Sequence, residues 1–199
     1  MLLHVYTITR YGPAALILLA LLWGALRIGY LAYAQRVSVL AVLRRKKSPV
    51  ERWLMAVAIV LDAYLLARAL YPPLDLMVFA APSPKPHWGV AVMAIGIAIA
   101  VLSQVDMGTA WRIGVPEKKE RSQALITRGL YRFSRNPIYV GIMIFILGSV
   151  IALPGPITIL SLILSWPLIN RVIDAEETFL RDAFGEEYTA YCVATRRWL

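Results

Sequence analysis

Arginines, aromatics and turn-forming residues cluster at residues 125–141, where the fourth apolar stretch of the chain begins. Asn136 and Pro137 suit the start of a helix, with asparagine as the N-cap and proline in the first turn. A helix N-terminus attracts anions, because its backbone N–H groups are free and its dipole end is positive. Arg135 stands beside this position and can hold a carboxylate or phosphate through two parallel hydrogen bonds. The cluster therefore suggests an anion site, with an interfacial belt of arginine and tyrosine as the alternative.

A second polar cluster follows the fifth apolar stretch, at what we expect to be the same membrane level. Its members are Asn170, Arg171, Asp174, Glu176 and Glu177. A carboxylate at this place can bind ribose hydroxyls or put negative charge near a cationic ligand. The alternative is a solvated helix start, where acidic residues suit the helix dipole.

Several other kinds of catalytic centre are disfavoured by the residue inventory. The chain has two histidines, His4 and His87, and one cysteine, Cys192, which argues against zinc and di-iron centres and against an internal disulfide. The sequence contains no GxGxxG pattern and no P-loop, and its histidines do not suit a Ser-His-Asp set. We therefore expect a site without a metal.

Three ionisable residues fall inside apolar stretches, where a charge is costly and marks a candidate functional position. Arg27 and Arg68 lie toward the ends of their stretches, so each guanidinium is expected to reach the interface. Asp62 lies deeper, and we expect it to form a salt bridge or hydrogen bond to a neighbouring helix.

Membrane helices are the elements that must position these residues. Of the 199 residues, 59% are hydrophobic and 17% are charged, whereas soluble domains carry about 45–50% and about 25%. Spans need roughly 20 residues each. The five apolar stretches cover about 11–34, 53–71, 88–103, 138–153 and 157–169. Pro167 is expected to kink or end the apolar part of the fifth. We predict an all-α integral membrane protein of about five spans, with a three-span bundle at 1–103 and the site at 104–199.

Charge along the chain predicts the orientation of these spans. Most of the 21 basic residues fall in the segments 35–52, 104–137 and 171–199, which five spans would place on one side. The positive-inside rule makes that side cytoplasmic, with the N-terminus outside and an interfacial C-terminal helix inside. A nucleic-acid partner is disfavoured, because the charge follows membrane sidedness and no nucleic-acid-binding motif accompanies it.

Two ordered blocks resemble the isoprenylcysteine carboxyl methyltransferase family and its phospholipid methyltransferase relatives. The first block has the pattern L-V-T-x-G-x-Y-x-x-x-R-H-P-x-Y-x-G and is represented by Leu125, Ile126, Thr127, Gly129, Tyr131, Arg135, Pro137, Tyr139 and Gly141. The second has the pattern E-E-x-x-L-x-x-x-F-G-x-x-Y-x-x-Y and is represented by Glu176, Glu177, Leu180, Phe184, Gly185, Tyr188 and Tyr191. Two departures stand out: Asn136 replaces the family's histidine, and Val172 occupies the position of an arginine, beside Arg171.

The resemblance implies S-adenosylmethionine bound in a cytoplasm-facing pocket over the last two spans. Carried over by position, its contacts are Gln123, Ala124, Leu125, Ile126, Tyr131, Asn136, Pro137, Ile138, Tyr139 and Glu176. The implied catalytic residues are Arg135, Arg171 and Glu176, of which the arginines hold the acceptor and Glu176 anchors the cofactor.

The sequence therefore predicts an integral-membrane S-adenosylmethionine-dependent methyltransferase that acts on a lipophilic small molecule or lipid. Carboxylate O-methylation is favoured because no general base is evident, while phospholipid N-methylation and thiol S-methylation stay open. Tyr191-Cys192 is similar to the ending of sterol-reductase-like NADPH oxidoreductases, which form a second hypothesis. A third is a non-enzymatic membrane protein in which the arginine–aromatic clusters are only anchors.

Overall fold

A computed structural model describes residues 2–34, 47–81, 83–108 and 124–199, with side chains from residue 7 onward. Every regular element in these ranges is helical. The helices are α1 (Leu2–Ala34), α2 (Pro49–Leu70), α3 (Leu74–Met77), α4 (Pro86–Met107), a 3₁₀ helix (Gly129–Arg132), α5 (Pro137–Ala152), α6 (Pro156–Phe184) and α7 (Glu186–Ala194). Gln123 and the basic residues within 35–46 and 109–122 lie outside the described residues.

The five predicted apolar stretches all form helices. Thr7–Ala34 within α1, together with α2, α4 and α6, are long and apolar enough to cross a membrane, and α5 is a shorter apolar helix. The predicted class, an all-α integral membrane protein, is confirmed. The helices extend beyond most of the predicted bounds, because polar flanking residues continue the helical hydrogen bonding.

Helix starts follow local sequence signals. Ser48 caps α2 in a capping box, in which its hydroxyl accepts from the N–H of Glu51 at 3.2 Å. The carboxylate of Glu51 accepts from the N–H of Ser48 at 2.7 Å. Proline stands in the first turn of α2, α4, α5 and α6, where its missing N–H has no cost.

Pro167 does not end α6, which continues through it as one helix to Phe184, and the alternative of a kink at Pro167 stays a prediction. A proline inside a membrane helix is tolerated when neighbouring groups satisfy the backbone that it frees. The helix ends at Gly185, which has a positive φ of 54° and also begins α7. The predicted break at Gly185 is therefore confirmed.

Helices α4 and α5 pack closely through glycine. A side-chain carbon built on Gly96 would lie 2.6 Å from the carbonyl oxygen of Gly141, and one built on Gly141 would lie 2.6 Å from that of Gly96. Small residues let membrane helices approach in this way. Buried residues of α1, α2, α4 and α5 form the core beside this crossing, and they include Ile17, Leu61, Leu65, Met93 and Ile146.

The intramembrane arginines bond within the helix bundle. Arg68 is buried, and its guanidinium contacts both carboxylate oxygens of Asp75, the nearer at 2.8 Å, and the carbonyl of Thr9 at 2.9 Å. Arg27 donates to the carbonyls of Gln104 and Gly108. Each arginine finds acceptors on a neighbouring helix or loop, and the expectation that the two guanidinium groups reach the interface stays a prediction.

Candidate functional site

The segment 124–127 runs without regular secondary structure into the 3₁₀ helix, which α4 holds in place. The carboxylate of Asp106 accepts from the backbone N–H of Leu130 at 2.8 Å. Asp106 also lies directly against Gly129, whose φ is +61° and whose missing side chain leaves room for the carboxylate. This anchoring fixes the backbone that contains the predicted cofactor residues Ala124, Leu125 and Ile126 relative to the helix bundle.

Tyr131 lies at the centre of this region and is buried. Burial, with a further contribution from the charge of Glu176, raises the pKa of the Tyr131 phenol above its ordinary value. Its backbone carbonyl accepts from the hydroxyl of Tyr191 at 2.7 Å, which ties α7 to the 3₁₀ helix. Burial also raises the pKa of Tyr191 to about 12, although the nearby Arg135 acts to lower it.

Residues 195–199, which we call the C-terminal strap, lie against the turn that leads into α5. The carbonyl of Arg196 accepts from the N–H of Arg135 at 2.9 Å, and the carbonyl of Arg197 accepts from the Asn136 amide at 3.1 Å. The Ser134 hydroxyl donates to the same Arg197 carbonyl at 3.3 Å. Asn136 occupies the predicted N-cap position, but its side chain makes no capping hydrogen bond, because its amide is turned toward the strap.

The Arg135 guanidinium joins α6, α7 and the strap. It donates to the Glu177 carboxylate at 3.0 Å and to the carbonyls of Thr195 at 2.7 Å and Cys192 at 3.2 Å. Burial acts to lower the pKa of Arg135, but the hydrogen bond and charge of Glu177 outweigh it and raise that pKa. These contacts give Arg135 a positioning role, while its predicted contact with an acceptor stays a prediction.

Tyr139 and Glu176 join the first turn of α5 to α6. The Tyr139 hydroxyl donates to the Glu176 carboxylate at 3.0 Å, across 37 positions of sequence. Pro137 is buried and Ile138 is half-buried beside them. The structure therefore brings together Asn136, Pro137, Ile138, Tyr139 and Glu176, all of them predicted cofactor residues.

Arg171 lies apart from this group. It is exposed on α6 and makes no hydrogen bond or ion pair with any residue that the structure describes. Val172, at the position of the family's arginine, is buried instead. The predicted catalytic role of Arg171 stays a prediction.

A cavity of about 250 Å³ adjoins Tyr139 between α2, α5 and α6. Its wall is mostly apolar and includes Met55, Ile142 and Val172, and Lys47 and Glu51 add charge. The Lys47 ammonium lies 2.9 Å from the Met55 sulfur. The cavity offers an amphiphile an apolar wall with charged groups beside it.

Sequence reasoning missed several residues of the site. They are Ser134, the residues of the strap and the two charged residues Lys47 and Glu51. The sequence analysis predicts no partner for Glu177, although the pair Glu176-Glu177 is a signal that one of the two carboxylates is bonded elsewhere. Neighbouring residues on a helix point about 100° apart, so two carboxylates in a row must face different surroundings.

The comparisons with known proteins agree with the two sequence blocks. The family model described as phospholipid methyltransferase matches residues 85–187. A probable protein-S-isoprenylcysteine O-methyltransferase of Oryza sativa subsp. indica is 33% identical over 116 residues, covering 55% of this chain and 61% of the relative. The protein-S-isoprenylcysteine O-methyltransferase of Schizosaccharomyces pombe is 29% identical over 100 residues, covering 50% of this chain and 42% of the relative.

A solved structure shares the fold. The eukaryotic intramembrane Ras methyltransferase ICMT (isoprenylcysteine carboxyl methyltransferase) superposes with a TM-score of 0.56 at 21% identity, covering 74% of this chain and 52% of that protein. The chain thus spans about three fifths or less of the length of these three relatives. The predicted resemblance is confirmed, and the chain belongs to the phospholipid methyltransferase family.

Proposed function

We propose that this protein is an integral-membrane methyltransferase that transfers a methyl group from S-adenosylmethionine to the carboxylate of a lipophilic acceptor. The observation that carries the proposal is the Tyr139–Glu176 hydrogen bond of 3.0 Å. It joins the two sequence blocks of the resemblance, and both residues lie within the part matched by the family.

The residues at this site fit the chemical groups of S-adenosylmethionine. The Glu176 carboxylate accepts from Tyr139, and a carboxylate also suits ribose hydroxyls or an amino group as donors. The backbone groups of residues 124–127 make no hydrogen bond to described residues, so they are available to the edge of an adenine. We assign Ala124, Leu125, Ile126, Tyr131, Asn136, Pro137, Ile138, Tyr139 and Glu176 to the cofactor, together with Gln123.

Bound S-adenosylmethionine supplies a methyl group on a positively charged sulfur. Glu176 holds and orients the donor, while the turn fixed by Arg135 and the strap keeps Asn136, Pro137 and Ile138 in position. Alignment of this kind contributes up to about 7–11 kcal/mol in favourable cases. A carboxylate acceptor is already anionic at neutral pH and needs no general base, which agrees with the scarcity of histidine.

The proposed acceptor is a membrane-partitioning molecule. The cavity beside Tyr139 supports this, because its apolar wall suits a lipid chain and Lys47 suits an anionic head. Carboxylate methylation follows the names of the relatives, which are O-methyltransferases. Phospholipid N-methylation is the second candidate, and the family match favours it.

Calorimetric titration of the purified protein with S-adenosylmethionine tests the cofactor assignment. We expect saturable binding and a loss of about tenfold or more in affinity for Glu176→Gln, because hydrogen bonds to a charged group are worth about 1.5–3 kcal/mol. Glu187→Gln on α7 is the matched control, since Glu187 is exposed. Absence of saturable binding to the wild-type protein would overturn the proposal.

Incubation with tritiated methyl donor and lipid extracts tests the acceptor. A methyl ester releases volatile methanol in base, whereas an N-methyl group stays on the product. Base-labile label supports the carboxylate acceptor, and base-stable label on a phospholipid supports the second candidate instead.

A further inference from the structure

A second cavity, of about 290 Å³, lies between α1, α2, α4 and α5. Its wall is largely apolar and includes Ile17, Leu61 and Phe145. Asp62 on α2 and Gln104 on α4 are its polar members, with the indole of Trp23. Small-molecule sites occupy about 300–1,000 Å³, so the volume suits one short alkyl chain.

Asp62 has no hydrogen bond or ion pair with the residues that the structure describes, contrary to the expected salt bridge. It lies 13 residues into α2, roughly 20 Å along the helix and within the apolar span. A carboxylate at such depth is costly unless it is paired. Asp62 therefore faces the cavity with its bonding capacity unused by the described residues.

The nearby polar groups have other partners. Arg68 on the same helix is bound to Asp75, and Arg27 donates to the carbonyls of Gln104 and Gly108. The Trp23 indole donates to the Gln104 side chain at 2.8 Å. A donor for Asp62 can therefore come from a ligand in the cavity.

Gly24 gives independent support for open space at this place. It lines the cavity, and a side-chain carbon built on it meets no atom within 4 Å. A larger residue at position 24 would project into space that a ligand can occupy.

We propose that this cavity is a binding site for a lipophilic amine, whose ammonium pairs with Asp62 and whose alkyl chain lies along Ile17 and Phe145. An ammonium neutralises the carboxylate and also supplies hydrogen-bond donors, while the apolar wall suits the chain. The positive charge of Arg27, beyond Gln104, favours the orientation that puts the ammonium at Asp62.

The Asp62 cavity adjoins the cavity beside Tyr139, because Ala58, Leu61 and Ile142 line both, whereas Asp62 and Gln104 line only the first. Glu51 and Tyr139 line the other cavity together, and Glu51 precedes Asp62 by 11 residues on α2, roughly 16 Å along the helix. The proposed partner of the ammonium is Asp62, which lines only this cavity, and the amine is proposed as a ligand in addition to the methyl donor.

Binding of tritiated decylamine to the full chain in zwitterionic lipid nanodiscs tests the proposal, with empty nanodiscs subtracted. We expect saturable binding of one decylamine per chain, which decanol and decanoate displace poorly. Asp62→Asn should weaken it by about tenfold or more, because it replaces a charged hydrogen bond with a neutral one. Glu187→Gln is the matched control, since it removes an exposed carboxylate on α7 that lines neither cavity.

Gly24→Leu fills the cavity and leaves Asp62 intact, so it tests the site even if the Asp62 variant does not fold. It should reduce decylamine binding at least as much as Asp62→Asn does. Wild-type affinity in the folded Gly24→Leu or Asp62→Asn protein, or equal displacement by decanol, overturns the proposal. None of these results depends on whether the protein binds S-adenosylmethionine.

Discussion

Glu176 and Glu177 are consecutive residues of α6 that point in different directions and bind different partners. Glu176 accepts from Tyr139 at the candidate site, whereas Glu177 is buried and bonded to Arg135, with Arg197 and Arg181 each 3.6 Å away. The first is exposed enough to reach a ligand, and the second joins α6 to the turn before α5. Their effects on binding and stability should therefore separate.

Glu177→Gln should lower stability, and it should reduce the cofactor affinity of the folded protein less than Glu176→Gln does. Removing one partner of a buried ion pair costs about 3–5 kcal/mol, because the other charge is left without compensation. Thermal unfolding in detergent, followed by calorimetry on the folded fraction, measures both effects. The double variant Arg135→Met/Glu177→Leu should recover part of the lost stability, and a double variant less stable than Glu177→Gln would contradict this account.

Tyr191 should make the protein's stability depend on alkaline pH. Burial raises its pKa from 10.0 to about 12, so the folded protein favours the protonated phenol. Its contribution to stability is therefore fully present below pH 10 and is lost as the pH rises to about 12. Unfolding followed by circular dichroism from pH 9 to 12 measures this loss.

Tyr191→Phe is the control for that titration. It removes both the ionisable phenol and the hydrogen bond to the Tyr131 carbonyl, so the variant should be less stable at neutral pH and lose less stability above pH 10. The stability of Tyr191→Phe should still fall to some extent at alkaline pH, because burial also raises the pKa of Tyr131 and Tyr188. If Tyr191→Phe loses as much stability between pH 10 and 12 as the wild-type protein does, the loss does not come from Tyr191.

The C-terminal strap positions the turn that leads into α5. Ending the chain after Thr195 removes the Arg196 and Arg197 carbonyls that accept from the turn, and also Trp198, which stacks on Trp166 at 5.0 Å. We expect S-adenosylmethionine affinity to fall by about tenfold, because several hydrogen bonds of about 0.5–1.5 kcal/mol each position that turn. Calorimetry measures the change.

Deleting only Leu199 is the matched control, because this residue is 70% exposed and the strap keeps its carbonyls. The shortened chain should keep its helical circular dichroism, since α1 to α7 are intact. Wild-type affinity in the chain that ends at Thr195 would show that the strap does not position the site.

Local signals predicted the elements better than they predicted the contacts. The capping box at Ser48, the proline starts and the break at Gly185 depend on residues within a few positions of one another, so the sequence contains them directly. The continuation of α6 through Pro167 depends on its membrane surroundings, which a propensity argument does not include. The bond from Arg135 to Glu177 crosses 42 positions, and only the packing of α5 on α6 decides it.

The charge pattern leads us to propose an orientation in the membrane, with the C-terminus cytoplasmic. A green fluorescent protein fused after Leu199 should fluoresce and an alkaline phosphatase fused there should be inactive, because each folds on one side only. The same pair fused after Ala81, between α2 and α4, is the control and should give the opposite result. Active phosphatase after Leu199 would contradict the positive-inside assignment.

Helix α6 contains both a candidate membrane span and the site residue Glu176, so a movement of the span also moves the site. This helix has 29 residues, roughly 43 Å of length, whereas the hydrocarbon core of a bilayer is about 30 Å thick. Its apolar half is the candidate membrane span and its other half contains Glu176, and the helix is uninterrupted between them. A thicker or thinner bilayer changes the tilt of a span, and here that tilt also moves the Glu176 carboxylate. Membrane thickness thereby becomes a variable of the site's geometry.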